Sequence, residues 1–135
     1  SVSFVGKVTE MEKSQMFRES WIAVQPSIVE GWGITNIEAN ICGTPVVAAN
    51  SDGLRDSVVD GVTGLLFPAG DLSKLEQQLE ALLSSKAMRE AMQKKALVWS
   101  KSFGWATSSD QFLKYIKSHL QDKHKLSVIP SFLKA

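Results

Sequence analysis

The sequence has few of the residues on which disulfide scaffolds, zinc sites and nucleic-acid-binding proteins depend. It contains one cysteine, Cys42, and two histidines, His119 and His124. The single cysteine excludes an internal disulfide and a zinc site built from several cysteines. The 15 Lys and Arg nearly balance the 14 Asp and Glu, giving a net charge of +1. This balance provides no electrostatic basis for binding nucleic acid or an anionic membrane.

Long apolar runs and targeting signals are also absent. No run approaches the roughly 18 apolar residues that span a bilayer. The first residues lack the basic flank and apolar stretch of a signal peptide. The chain begins with Ser1 rather than Met and enters directly into an apolar run, so we expect a piece of a longer polypeptide. The cytoplasm is the expected location by default.

The composition that remains is typical of a globular protein, with 44% apolar and 21% charged residues in 135. Strands are predicted at residues 2–5, 21–24, 45–49 and 65–67. Helices are predicted at about 9–20, 34–42, 54–59, 86–102 and 112–119, with another beginning after Asp71. Alternating strands and helices indicate an α/β domain with a parallel sheet. We expect one domain over residues 1–120, followed by a tail over residues 121–135.

Apolar spacing also predicts which side of several elements is buried. The continuous apolar run at 21–24 is typical of a strand covered on both faces. The predicted inward face of the helix after Asp71 comprises Leu72, Leu75, Leu79, Leu82 and Leu83. The predicted inward face of the next helix comprises Ala87, Ala91 and Val98.

Parallel sheets bind ligands beyond the carboxyl ends of their strands, which directs attention to residues 26–35 and 49–56. In the first segment, Gly31 and Gly33 flank Trp32 just before a predicted helix. Glycines let the backbone approach a bound group closely, and the first amides of the helix, near Ile34 and Thr35, favour an anion such as phosphate. Alternatively, this tripeptide is only a structural bend before a helix and binds no ligand.

Two glutamates lie on either side of this bend. Glu38 falls on the predicted apolar stripe of Ile34, Ile37 and Ile41, where a carboxylate requires a donor. That donor is either a salt-bridge or amide partner within the fold or a ligand diol such as a ribose. Glu30 is most simply a solvated acid. Eight helical residues rise about 12 Å, whereas the carboxyl pair of a glycosidase lies about 5–9.5 Å apart. We therefore reject a glycosidase pair.

One motif combines these features: Pro26-Ser27-x-x-Glu30-Gly31-Trp32-Gly33-Ile34-x-x-x-Glu38-Ala39, followed by Cys42-Gly43-Thr44-Pro45-Val46-Val47-Ala48. It resembles the C-terminal signature of the retaining glycosyltransferases of GT-B fold known as family 4, or group 1. The resemblance runs from about Phe4 to Ile116. It includes the Asp60-Gly61-x-Thr63-Gly64-Leu65-Leu66 and Phe103-Gly104-Trp105 segments.

The resemblance implies a Rossmann-like parallel sheet flanked by helices, namely the donor-binding C-terminal half of a GT-B fold, truncated at its N-terminus. It implies transfer of a glycosyl group from a nucleotide-diphosphate sugar, with retention of configuration, in polysaccharide or glycoconjugate biosynthesis. No cofactor and no metal are expected. The acceptor would bind a missing N-terminal domain, without which this chain is expected to be inactive. The full-length enzyme would be cytoplasmic or peripheral to a membrane.

The resemblance also assigns roles by position. Glu30 would face the hydroxyls of the donor sugar and serve catalysis. Gly31, Trp32 and Gly33 would line the sugar, and the Ile34 and Thr35 amides would meet the diphosphate. Glu38 would hold the ribose. The backbone around Lys7 and Val8 would contact the base.

The chain also departs from the family's pattern. The Arg and Lys that stabilise the leaving diphosphate are not found, and Lys7, Lys13, Arg18 and Arg55 are predicted to be solvated surface residues instead. Asp52-Gly53 and Asp56 replace a Gly-Gly and a glutamate. Two strand-helix units are missing, so the sheet is expected either to close the gap or to expose strand edges, and exposed edges favour self-association.

The sequence leaves two alternatives to glycosyl transfer. The first is a non-catalytic module that binds a nucleotide sugar or another protein. The second, a receiver-like signalling domain, is disfavoured because no acidic pair precedes a phosphorylatable aspartate at a strand end.

Overall fold

The computed structural model describes the backbone of residues 1–121 and side chains as far as residue 118. The helices are α1 (Glu10–Glu19), α2 (Ile34–Ile41), α3 (Leu54–Ser57), α4 (Leu72–Ser84), α5 (Lys86–Ser100) and α6 (Trp105–Gln121), with a 3-10 turn at Lys101–Phe103. The strands are β1 (Ala23–Gln25), β2 (Val46–Ala49) and β3 (Gly64–Phe67). The chain divides after Lys101 into two compact units. The predicted boundary at residue 120 stays a prediction, and His124 lies outside the described residues.

The first unit, Ser1–Lys101, is built on a parallel three-stranded sheet in the order β1-β2-β3. Val24 is opposite Val47 in one strand pair, and Val47 is opposite Leu65 in the other. All four residues of β2 are fully buried, because β2 lies between the other strands and helices cover the sheet. The predicted fold class, a parallel α/β sheet flanked by helices, is confirmed.

The predicted strand at residues 2–5 is wrong. This segment forms no strand, and Val2, Phe4 and Val5 are 84%, 97% and 57% exposed. A strand requires the hydrogen-bonding ladder of a neighbour. Within the described residues β1 pairs only with β2, and the segment at 2–5 has no strand partner.

The prediction that the 21–24 run is buried on both faces is also wrong. The strand begins at Ala23, and Trp21 and Val24 are 62% and 43% exposed. Among the described residues β1 is therefore an edge strand, and its unpaired edge is the surface on which the self-association prediction depends.

Helix ends were predictable because their signals are local. At α1, Thr9 and Glu12 form the expected capping box, in which the Glu12 amide donates to the Thr9 side chain and the Thr9 amide donates to the Glu12 carboxylate at 2.8 Å. The Thr9 backbone amide lowers the pKa of Glu12. At α4, the Lys74 amide donates to Asp71 at 2.9 Å, confirming Asp71 as the N-cap.

The inward faces of α4 and α5 differ from those predicted. In α4 only Leu82 is buried, Leu75 and Leu79 pack partly, and Leu72 and Leu83 are 76% and 53% exposed. In α5 the buried residues are Met92, Ala96 and Ser100, whereas Ala87, Ala91 and Val98 are exposed. Small residues occur on several sides of α5, so its packing against α2 determines the buried face.

No helix among the described residues combines the length and the apolar character needed to cross a membrane.

The corrected face of α4 leads to the first prediction. Leu82→Ala should reduce the free energy of unfolding by about 2–5 kcal/mol, because it leaves a cavity in the core. The adjacent Leu83→Ala is the matched control and should change it by less than about 0.5 kcal/mol. Urea unfolding followed by circular dichroism measures both. Equal losses would contradict the burial of Leu82.

Candidate functional site

Two loops lie against each other at the carboxyl edge of the sheet. One follows β1 and carries Glu30 and Gly31, and the other follows β2 and carries Ser51 and Gly53. The Ser51 hydroxyl donates to the Ser27 carbonyl at 3.1 Å. A Cβ on Gly53 would clash with the Glu30 carbonyl oxygen and lie 2.7 Å from the Gly31 carbonyl. The two segments singled out from the sequence are therefore in direct contact.

Gly33 ends the first loop as the N-cap of α2, with a left-handed φ of 67°. A Cβ there would lie 2.6 Å from the Ser57 hydroxyl and 2.7 Å from Leu54. The bend is thus held close to α3, which explains why glycine is required at this position.

A buried polar network supports the bend, and sequence reasoning missed it. Asn36 Nδ2 donates to the Ser57 hydroxyl at 2.9 Å, and that hydroxyl donates to the Leu54 carbonyl at 2.8 Å. The Trp99 indole donates to the Ser57 carbonyl at 3.3 Å. Ser57 therefore joins α2, α3 and α5 directly beneath Gly33. Only tertiary structure brings Asn36, Ser57 and Trp99 together, so no local signal could have identified them.

The first two residues of α2 are at the surface. Ile34 and Thr35 are exposed, and neither of their amides donates to any group among the described residues. The Asn36 amide donates to the Gly33 carbonyl at 2.9 Å. Two outward amides at the positive end of a helix dipole can accept an anion. Diphosphate binding here stays a prediction.

Glu30 lies at the side of the bend and is half-buried. Gln25, the last residue of β1, donates from Nε2 to Glu30 Oε1 at 3.0 Å. This bond fixes the carboxylate beside the loop and leaves Oε2 without a partner among the described residues. Gln25 was not predicted, although a polar residue at the carboxyl end of a strand is the relevant signal.

The apolar stripe proposed for Glu38 is wrong. Ile34 and Ile41 are 64% and 57% exposed, and the buried face of α2 consists of Asn36, Ile37, Ala39 and Asn40. Glu38 lies at the margin of that face, with its side chain 32% exposed.

Glu38 has a salt-bridge partner within the fold, which is one of the two donors that the sequence analysis considered for it. Lys13 Nζ on α1 donates to Glu38 Oε1 at 2.9 Å and also pairs with Glu10 at 2.8 Å. The prediction that Lys13 is a solvated surface lysine is therefore wrong. Hydrogen bonds from the Lys13 ammonium to Glu10 and Glu38 raise the pKa of Lys13.

The remaining candidates lie nearer the surface. Lys7 is exposed and Val8 half-buried in the segment before α1, and their contact with a base stays a prediction. Arg55 forms an ion pair with Asp52, and Asp56 is exposed. No cluster of three or more metal-ligating side chains occurs among the described residues.

The parallel sheet and the paired loops at its carboxyl edge define a Rossmann-like domain. Residues 1–99 match the family of group 1 glycosyl transferases, so the chain belongs to that family. It is 36% identical over 110 residues to a D-inositol 3-phosphate glycosyltransferase of Kribbella flavida, covering 82% of this chain and 26% of the relative. It is 30% identical to a phosphatidyl-myo-inositol mannosyltransferase of Mycobacterium leprae, covering 94% of this chain and 34% of the relative.

Solved structures show the same architecture. Sucrose-phosphate synthase from Thermosynechococcus elongatus superposes with a TM-score of 0.79 at 28% identity, covering 88% of this chain and 30% of the other. HepE from Anabaena, crystallised with UDP, superposes with a TM-score of 0.70 at 25% identity, covering 77% and 29%. The fold is that of the C-terminal half of GT-B glycosyltransferases, as predicted. The chain spans 26% and 34% of the two curated relatives.

The contact between the loops leads to the second prediction. Gly53→Ala should reduce the free energy of unfolding by about 1–3 kcal/mol more than Gly61→Ala, because its Cβ meets backbone that cannot move aside. Gly61 is the matched control: its φ of 71° is also left-handed, but a Cβ there meets nothing within 4 Å. Urea unfolding of both variants measures the difference. Equal losses would contradict the loop contact.

Proposed function

We propose that this chain binds the nucleotide-diphosphate-sugar donor of a retaining family 4 glycosyltransferase. One observation carries the proposal: two amides without a partner among the described residues lie at the start of α2, and along the sequence they fall between Glu30 and Glu38. A sugar linked through a diphosphate to a ribose presents hydroxyls at both ends and negative charge in the middle, which matches this order. HepE, crystallised with UDP and with UDP-glucose, supports the class of ligand.

Each predicted residue has a role in this proposal. The Ile34 and Thr35 amides bind the diphosphate, and Gly31, Trp32 and Gly33 line the sugar. Glu30, held by Gln25 through Oε1, directs its other oxygen to the sugar hydroxyls.

Recognition of the nucleoside is proposed at the other end of the site. Glu38 binds the ribose diol through Oε2, which has no partner among the described residues. The backbone at Lys7 and Val8 contacts the base.

The amides at the bend supply part of the affinity that a donor requires. Hydrogen bonds to a charged phosphate contribute about 1.5–3 kcal/mol each, so the two amides supply about 3–6 kcal/mol before ordering costs. Millimolar to micromolar binding requires about 4–8 kcal/mol. In this proposal the carboxylates of Glu30 and Glu38 contribute the rest of the binding free energy.

Transfer requires groups beyond this site. In the proposed reaction the anomeric carbon–oxygen bond breaks, the diphosphate leaves with the electron pair, and the acceptor oxygen bonds to the same face as its proton passes to the leaving phosphate. Cations would stabilise that charge. Arg55 pairs with Asp52, and Lys13 with Glu10 and Glu38. We therefore propose that the cations come from the beginning of the enzyme's C-terminal domain, outside this chain, and that the acceptor binds an N-terminal domain. The proposed enzyme is cytoplasmic and needs no metal.

The third prediction tests donor binding. Calorimetry with UDP-glucose and GDP-mannose should detect binding by the purified chain. Glu38→Gln should weaken it about tenfold, because a carboxylate that accepts hydroxyl donors contributes about 1.5–3 kcal/mol. Glu10→Gln is the matched control: Glu10 also pairs with Lys13, but its side chain is 86% exposed. Its affinity should equal that of the wild type.

Two results would contradict the proposal. Absence of binding to both donors would contradict a nucleotide-sugar site, and equal affinity of the Glu38→Gln variant would remove Glu38 from it.

The fourth prediction separates an enzyme from a non-catalytic binding module. In the enzyme that contains this chain, Glu30→Gln should lower the turnover rate about 10²- to 10³-fold, as loss of one transition-state contact does. Donor affinity should change much less. Radiolabelled sugar transfer and calorimetry measure the two quantities. Unchanged turnover would contradict the catalytic role of Glu30, and a wild-type enzyme that binds donor without transferring sugar would favour the binding module.

A further inference from the structure

The ion pair between Lys13 and Glu38 differs from the others in the described part of the chain. Three of the four ion pairs join residues three or four positions apart. Lys13–Glu38 instead joins α1 to α2 across 25 positions, and both side chains are about two-thirds buried, at 29% and 32% exposure. A pair at this depth restricts the motion of both side chains more than an exposed pair does.

The pair uses only one oxygen of Glu38. Lys13 Nζ lies 2.9 Å from Oε1, and no group among the described residues bonds to Oε2. A diol is best accepted by a carboxylate that is charged and held in one rotamer, because fixing a free glutamate side chain costs conformational entropy. Lys13 meets the second requirement, since its ammonium donates to Oε1 and fixes the orientation of the carboxylate.

The same contact also secures α1. This helix contains no fully buried residue. Toward its end, Phe17 packs partly against the core and its carbonyl accepts the Thr44 hydroxyl. Near its start, the Lys13–Glu38 pair connects the helix to α2. Lys7 and Val8 precede the N-cap Thr9, so Lys13 lies in the first turn after the proposed base-contact segment.

We propose that Lys13 is a positioning residue for nucleoside recognition. It orients the Glu38 carboxylate toward the ribose hydroxyls without touching the ligand itself. This inference rests on the proposed function. It concerns how the nucleoside end of that site is organised.

The test compares Lys13→Met, which keeps the apolar stem and removes the charge, with Lys13→Arg, which restores a donor. Calorimetry with UDP and GDP identifies the nucleotide that binds. That nucleotide is then compared with its 2′,3′-dideoxy form, which lacks the diol. Lys13→Met should weaken binding of the complete nucleotide roughly three- to tenfold. It should change binding of the dideoxy form by a smaller factor, and Lys13→Arg should recover most of the loss.

Two controls separate positioning from a general structural effect. Lys74→Met removes another lysine, whose ammonium donates to Gln77 on α4, and should leave affinity unchanged. In a Glu38→Gln background, Lys13→Met should cause little further loss, because the residue through which it acts has already been altered.

The outcomes are distinguishable. Wild-type affinity in Lys13→Met, or an equal loss for both forms of the nucleotide, overturns the role of Lys13 and leaves the donor site intact. A wild-type chain that binds neither UDP nor GDP overturns the proposed function and this inference together. A diol-dependent loss that Lys13→Arg recovers supports the inference.

Discussion

The close approach of two backbone loops is the constraint on which the candidate site depends. The loop after β1 can pass over the loop after β2 only because Gly53 has no side chain to meet the Glu30–Gly31 peptide. The bend then turns into α2 at Gly33, which is equally confined by α3. Together these contacts place the first amides of α2 and the Glu30 carboxylate at one edge of the sheet. The chemistry proposed for this edge therefore depends on two positions where a Cβ does not fit.

Features encoded by neighbouring residues could be predicted from the sequence. The Thr9–Glu12 capping box, the Asp71 cap and the glycine-flanked bend each depend on a few adjacent positions, and each is found where expected. The buried strand at 46–49 was equally clear, because a run of four small or β-branched apolar residues is typical of a buried strand. The alternation of such segments was enough to predict the parallel α/β class.

Features that depend on a distant partner could not be predicted in this way. The residues at 2–5 have strand-like composition, but composition does not provide a neighbouring strand with which they could form hydrogen bonds. The faces of α2 and α5 were misassigned because their apolar residues occur on several sides, and contact between these two helices decides which residues are covered. The pairing of Lys13 with Glu38 required α1 to be placed beside α2.

Ser57 has a consequence for observing the site in solution. Its hydroxyl accepts from Asn36 beneath the bend, and its carbonyl accepts from the Trp99 indole. Indole emission depends on the hydrogen bond at its nitrogen, so a rearrangement of the bend that shifts α3 would alter the fluorescence of Trp99. The domain thus contains an indole that is joined to the bend through Ser57.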